Sequence, residues 1–64
     1  MLFMPTGNVY VYYLSGRKEN VAIQDSLSSS DANWFYNQWN KADDPIVKIT
    51  LVDRYHNILK EYKY

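Results

Sequence analysis

The sequence predicts a single α+β domain: one antiparallel sheet of about four strands, in the order β-β-α-β-β, with one helix packed on one face. Two stretches with the alternation of β-strands precede a stretch with helical spacing, and two more follow it. At 64 residues the chain is long enough for one domain and too short for two. We therefore expect residues 1–64 to form a single domain.

The first two strands are predicted to form a hairpin. Residues 9–14, Val-Tyr-Val-Tyr-Tyr-Leu, are β-branched and aromatic with apolar side chains on both faces, which is typical of a central strand. A turn at Ser15 and Gly16 leads into residues 20–24, where Val21 and Ile23 alternate with other residues and share one face.

The helix is predicted over residues 29–41. Ser28 and Asp31 have capping-box spacing at its start, and Pro45 disfavours helical geometry in the residue before it. At roughly 100° per residue, one apolar stripe faces the sheet and Trp34 lies nearly opposite. Trp34 then either contacts a partner, since tryptophan is enriched at interface hot spots, or packs under a loop or against residues 1–4. The stripe contains Ala32, Phe35, Tyr36, Trp39 and Ala42.

Two strands are predicted after the helix. Residues 46–52 alternate Val47, Ile49 and Leu51 with the polar Lys48 and Thr50, which is the clearest strand pattern in the chain. Residues 53–57 are expected to form a hairpin loop. Residues 58–64 carry charges on both faces, so we expect this last strand to be exposed along one edge.

Catalysis, metal binding and cofactors are not expected. The chain has one histidine, His56, and no cysteine, so neither a nucleophile with its base nor a zinc cluster can be assembled. Gly7 and Gly16 cannot form a glycine-rich phosphate loop. The apolar residues 1–4 are followed by Pro5, too early for a secretory segment or a membrane span. We expect a soluble intracellular protein that works by binding.

The net charge of the chain is zero, but the charges are segregated. Residues 19–44 contain five acidic residues and one lysine, a net charge of minus four, which arises either by chance or from an acidic binding face. A neutral chain lacks the basic excess that attracts phosphate backbones, so direct nucleic acid binding is not expected. Tyr10 and Tyr12, two residues apart on one strand, could nevertheless stack bases, so a single-stranded nucleic acid binding module is the alternative function. The other interpretation of these tyrosines is that they are core residues with no binding role.

Three short motifs resemble those of a known family. They are Leu-Ser-Ser-Ser-Asp at residues 27–31, Tyr36 five residues after the aspartate, and the Ala-Asp-Asp step at residues 42–44 into the strand Ile-Val-Lys-Ile-Thr-Leu. Together they resemble the small phage-encoded uracil-DNA glycosylase inhibitors of the Bacillus podovirus type. The resemblance spans residues 27–51, and the tyrosine-rich hairpin before it fits the same order of elements.

The resemblance implies a homodimer that imitates DNA, lies in the DNA-binding cleft of the enzyme and receives its protruding apolar wedge in a pocket lined by helix aromatics. Tyr36 is then the carried-over pocket residue and Asp31 the carried-over acid. The family has a bulky aromatic residue and a glutamate where this chain has Ala32 and Asn33, so Trp34, Phe35 or Trp39 would refill the pocket. The implied partner-binding residues are Asp31, Ala32, Asn33, Trp34, Phe35, Tyr36 and Trp39. An inhibitor of another host protein with the same fold is a further alternative.

Overall fold

The computed structural model describes residues 5–24 and 28–64, and this part of the chain forms four strands and one helix. The strands pair in the order β2-β1-β3-β4, and every pairing is antiparallel. The predicted α+β class, the order of the elements and the central position of the first strand are confirmed. The elements are β1 (Gly7–Tyr13), β2 (Lys18–Ile23), α1 (Ser29–Trp39), β3 (Ile46–Asp53) and β4 (Ile58–Lys63).

The core lies between the helix and one face of the two central strands. Val9 and Val11 of β1 are fully buried and pair with Leu51 and Ile49 of β3, so their side chains point to the same side of the sheet. Burial of each such aliphatic side chain contributes roughly 1.5–3 kcal/mol. The helix and the strand ends complete this core with Tyr13, Ala32, Phe35 and Ile46.

The helix begins where the capping signal predicts. The Asp31 carboxylate accepts a hydrogen bond from the backbone amide of Ser28 at 2.7 Å, and the capping box is confirmed. The helix ends at Trp39, two residues before the predicted end, because Asn40 is extended and its side-chain oxygen accepts a hydrogen bond from the Ile46 amide at 2.7 Å. The prediction that Ala42 belongs to the buried stripe is wrong: this residue follows the helix and is exposed.

No helix or strand within residues 5–24 and 28–64 packs on the other face of the sheet, although Thr50 and Val52 on this face are themselves buried. We call it the open face. Pairing across the strands fixes its members, since paired residues point to the same side. They form three lines across the sheet in the order β2, β1, β3 and β4: Lys18, Tyr12, Lys48 and Lys63; Asn20, Tyr10, Thr50 and Glu61; Ala22, Asn8, Val52 and Ile58.

Some sequence expectations fall on residues outside the described ranges. These are the packing of Trp34 against residues 1–4, the position of Asp25 in the acidic segment, and Leu27 in the family motif. Within the described residues, no helix has the length and apolar character needed to cross a membrane.

Candidate functional site

Trp34 points outward from the helix, as its place on the helical wheel predicts. Its side chain is 54% exposed, while its ring meets the ring of Phe35 edge to face, with centroids 5.0 Å apart and an interplanar angle of 84°. Because Phe35 is buried in the core, this contact fixes the orientation of a surface aromatic ring. A large aromatic side chain already held in place loses little conformational entropy on binding, so Trp34 is suited to be an anchor for a partner.

Tyr36 and Trp39 are half-buried on the side of the helix that faces the sheet. Trp39 makes a second edge-to-face contact with Phe35, again at 5.0 Å. Tyr36 is stacked on Tyr64, with ring centroids 4.2 Å apart. Two residues of helix rotate the chain by roughly 200°, so Trp34 and Tyr36 lie on different sides and cannot line one pocket.

The structure distributes the seven predicted partner-binding residues over three environments. Ala32 and Phe35 lie in the core, where the stripe prediction also places them. The Asp31 carboxylate is half-buried in the helix cap. Asn33 and Trp34 are exposed, so the helix offers a partner these two residues and the accessible parts of Tyr36 and Trp39.

A cleft of about 240 Å³ separates the last turn of the helix from the first hairpin. We call it the helix–hairpin cleft. Trp39 is the helix aromatic that lines it, and Tyr13 faces it from the strand. The remaining lining residues, Arg17, Glu19, Gln38 and Lys41, are polar or charged and were not predicted from the sequence. The cleft can accept one side chain of a partner, with an aromatic wall and a charged rim.

Arg17 is the centre of the charged rim. Its guanidinium lies 4.2 Å from the centre of the Tyr13 ring, 2.8 Å from Glu19 and 3.5 Å from Asp44. Burial opposes ionisation of Asp44, but hydrogen bonds from the Ser15 amide and hydroxyl, together with the charge of Arg17, outweigh it and lower the pKa of Asp44. Burial, and then the charge of Glu19, raises the pKa of the Tyr13 hydroxyl.

These contacts revise the picture of the acidic middle segment. Glu19 and Asp44 form ion pairs with Arg17, and Asp31 caps the helix, so three of its five carboxylates have roles inside the chain. Asp43 is exposed after the helix end. Its four described acids, set against Lys41 and Arg17, still leave a net charge of minus two on this part of the chain.

In the described residues, no group of three or more histidine, cysteine or acidic side chains is placed to hold a metal ion. His56 is exposed in the β3–β4 loop. No protein-family model, curated protein or solved structure matches this chain.

Proposed function

We propose that the chain is a protein inhibitor of uracil-DNA glycosylase that acts by occupying the DNA-binding cleft of the enzyme. The observation that carries the proposal is Trp34, a tryptophan that is more than half exposed and yet fixed by the buried Phe35. The choice of target rests on the resemblance of residues 27–51 to the inhibitor family. The capped helix that bears Trp34 lies within that segment.

The surface around Trp34 suits binding to a protein cleft. Trp34 would enter the enzyme as an anchor, and the helix–hairpin cleft beside Trp39 would receive the apolar wedge that the enzyme otherwise inserts into the base stack. Trp39 would then be the aromatic residue of the pocket, because Ala32 has no aromatic ring at the position where the family has one. Asp31, in the first turn of the helix, and Asp43, after its end, would face the basic walls of the DNA-binding cleft.

The proposed target sets the remaining properties. An inhibitor of this kind would be encoded by a phage or mobile element and would act in the cytoplasm of the host cell. The homodimer that the resemblance implies would cover exposed apolar side chains, of which the structure offers Leu14, Ile58, Leu59 and Tyr64.

The direct test is uracil excision from a labelled duplex oligonucleotide with a fixed amount of enzyme and increasing inhibitor. We expect excision to stop near one inhibitor unit per enzyme, because occlusion is stoichiometric. Persistent excision at a large excess of folded protein would remove the proposal. The size of the free protein, from sedimentation, gives the number of chains in each unit.

Two variants locate the contact. Trp34→Ala should raise the inhibition constant by about 30-fold, which corresponds to a hot-spot loss of about 2 kcal/mol. Tyr55→Ala is the matched control, because Tyr55 is an exposed aromatic residue outside the helix; it should change the constant little. Equal inhibition by the Trp34→Ala variant and the intact protein would show that the helix surface is not the contact.

A further inference from the structure

The open face carries a continuous row of three lysines and one tyrosine. Tyr12 pairs with Lys18 on one side and with Lys48 on the other, and Lys48 pairs in turn with Lys63. We call these four residues the lysine row. Neighbouring strands lie about 4.8 Å apart, so a row across four strands spans roughly 14 Å. Three positive charges distant in the sequence are thus aligned on one surface.

The row is unfavourable for the fold by itself. Lys48 and Lys63 lie directly opposite each other, and like charges in that relation destabilise a sheet. An ion pair partly offsets this repulsion, since the Nζ of Lys48 lies 3.6 Å from Glu61. Among the described residues, no carboxylate lies within ion-pair distance of Lys18 or Lys63. Three lysines against one glutamate leave a charge of plus two on this face, which an anionic ligand would neutralise.

The open face carries two half-buried tyrosines, Tyr12 within the lysine row and Tyr10 beside it. Tyr10 and Tyr12 follow each other on the open face of β1, roughly 6.8 Å apart along the strand. The Lys48 ammonium lies 4.4 Å from the centre of the Tyr12 ring. The Lys18 ammonium lies 5.3 Å from the centre of the Tyr10 ring and 5.8 Å from that of Tyr12. Aromatic rings and mobile cations therefore share one surface.

We propose that the open face binds single-stranded nucleic acid, with phosphates on the lysine row and bases stacked on Tyr10 and Tyr12. A lysine over an exposed ring contributes about two- to fivefold to an equilibrium constant, whereas a base on such a ring contributes about five- to a hundredfold. Exchange of the ammonium groups for bases is therefore favourable, and the released lysines can move to the phosphates.

Other occupants fit the open face less well. A second copy packed face to face would bring two lysine rows together, six positive charges against two glutamates. A duplex keeps its bases stacked inside and has none to offer to the tyrosine rings. The open face is on the opposite side of the sheet from Trp34, so this binding site is separate from the proposed inhibitor surface.

Fluorescence anisotropy with a labelled oligothymidine of about 12 nucleotides tests the proposal. We expect binding at low salt, with log K falling against log salt with a slope near −2, because three lysines would each displace about 0.7 counterion. A duplex of the same length should bind at least fivefold more weakly. No binding of the oligothymidine at low salt, or equal affinity for the duplex, would overturn the proposal.

Lysine variants test which face is used. Lys18→Gln and Lys63→Gln, both at exposed positions, should each reduce the magnitude of the salt slope by about 0.7. Lys60→Gln is the matched control, since Lys60 is on β4 but pairs with Leu51 and so points to the helix side. An equal loss of affinity in Lys60→Gln would contradict binding at the open face.

Tyrosine variants test the stacking. Tyr12→Leu should weaken binding about fivefold or more, and Tyr12→Phe should retain it, because phenylalanine keeps the ring. Tyr55→Leu, in the exposed β3–β4 loop, should have no effect. Circular dichroism of each variant confirms that the fold is intact. Unchanged affinity in folded Tyr12→Leu would exclude the stacking.

Discussion

The ring of Tyr64 stacks on the ring of Tyr36, with an angle of 21° between the two planes. Tyr64 follows the end of β4, and its amide donates a hydrogen bond to the Val47 carbonyl at 2.9 Å. Tyr36 is on the helix, so this stack joins the helix to the edge of the sheet that carries β4. Tyr64 is therefore part of the packed structure.

Tyr64→Ala should lower the free energy of unfolding by about 1–2 kcal/mol. The stacked pair contributes about 0.5–1.5 kcal/mol beyond the area it buries, and the remainder comes from lost burial. Urea denaturation followed by tryptophan fluorescence measures the change. Tyr64→Phe should retain most of the stability, and Tyr55→Ala, at a largely exposed tyrosine, should change it by less than about 0.5 kcal/mol. Equal stability of Tyr64→Ala and the parent would refute the role of the stack.

Stability should fall in acid because of Asp44 and Asp53. Hydrogen bonds from the amide and side chain of Asn57 are the main cause that lowers the pKa of Asp53, and Asp44 is held below its usual value of 3.8 as described above. A folded pKa below the unfolded one stabilises the protein above the unfolded value and loses that stabilisation as the pH falls through the folded value. The urea midpoint should therefore be constant between about pH 5 and pH 8 and fall below about pH 4.

Asparagine variants test whether Asp44 and Asp53 cause this acid limb, the decline of the urea midpoint at low pH. Asp44→Asn and Asp53→Asn should each lower the urea midpoint at neutral pH and flatten its decline in acid, because the titrating group is gone. Asp43→Asn removes the same charge from the residue next to Asp44 and should leave the slope of the acid limb unchanged. An acid limb equally steep in the Asp44→Asn and Asp53→Asn variants would disprove the assignment.

Both hairpin loops should be more stable with glycine at the residue that has a positive φ. Gly16 has a φ of 95° and His56 a φ of 67°, both in the left-handed region that disfavours residues with a Cβ atom. Gly16→Ala should lower the free energy of unfolding by about 1–2 kcal/mol. A Cβ atom at Gly16 would meet nothing within 4 Å, so the whole effect is conformational.

His56→Gly should raise the free energy of unfolding by up to about 1 kcal/mol, since glycine adopts the left-handed conformation without strain. Arg54→Gly, in the same loop at a residue without positive φ, should lower it by about 0.5–1 kcal/mol. Thermal denaturation of the three variants and the parent is sufficient. Destabilisation by His56→Gly as large as that by Arg54→Gly would show that the loop stores no strain at His56.

Asn40 should matter more than its exposed position indicates. Its side-chain oxygen is the acceptor for the Ile46 amide, in a partly buried place between the helix and β3. Asn40→Ala leaves that amide without its partner and should lower the free energy of unfolding by about 1–3 kcal/mol. Asn40→Asp keeps an acceptor oxygen and should lower it by less. Equal losses in the two variants would show that the hydrogen bond does not stabilise the fold.

The sequence was sufficient for features that depend on local periodicity. The order of the elements, the capping of the helix by Ser28 and Asp31, and the outward position of Trp34 follow from alternation, capping chemistry and helical rotation. The end of the helix was predicted two residues late, because Pro45 indicates only that the helix ends before it and not at which residue. The bond that ends the helix joins Asn40 to a strand, and spacing along the chain does not reveal it.

The surfaces depend on register, which the sequence does not specify. The lysine row brings together residues from four strands, and its alignment requires the pairing of β1 with both β2 and β3 and that of β3 with β4. Irregularities between Tyr12 and Tyr13 and between Leu51 and Val52 shift the pairing on either side of them. The net charge of zero does not reveal the lysine row, because summing over the chain ignores which side of the sheet each charge occupies.

That one-sided arrangement gives the molecule a permanent electric dipole. Because the whole chain is neutral and the open face carries a charge of plus two, the remaining residues of the chain together carry a charge of minus two. The field of an approaching charged macromolecule would orient the protein before contact. The open face would turn toward a polyanion, and the opposite side toward a basic protein. Association rates should consequently depend on ionic strength even near the isoelectric point of about 6.5, where a uniformly neutral particle would be insensitive.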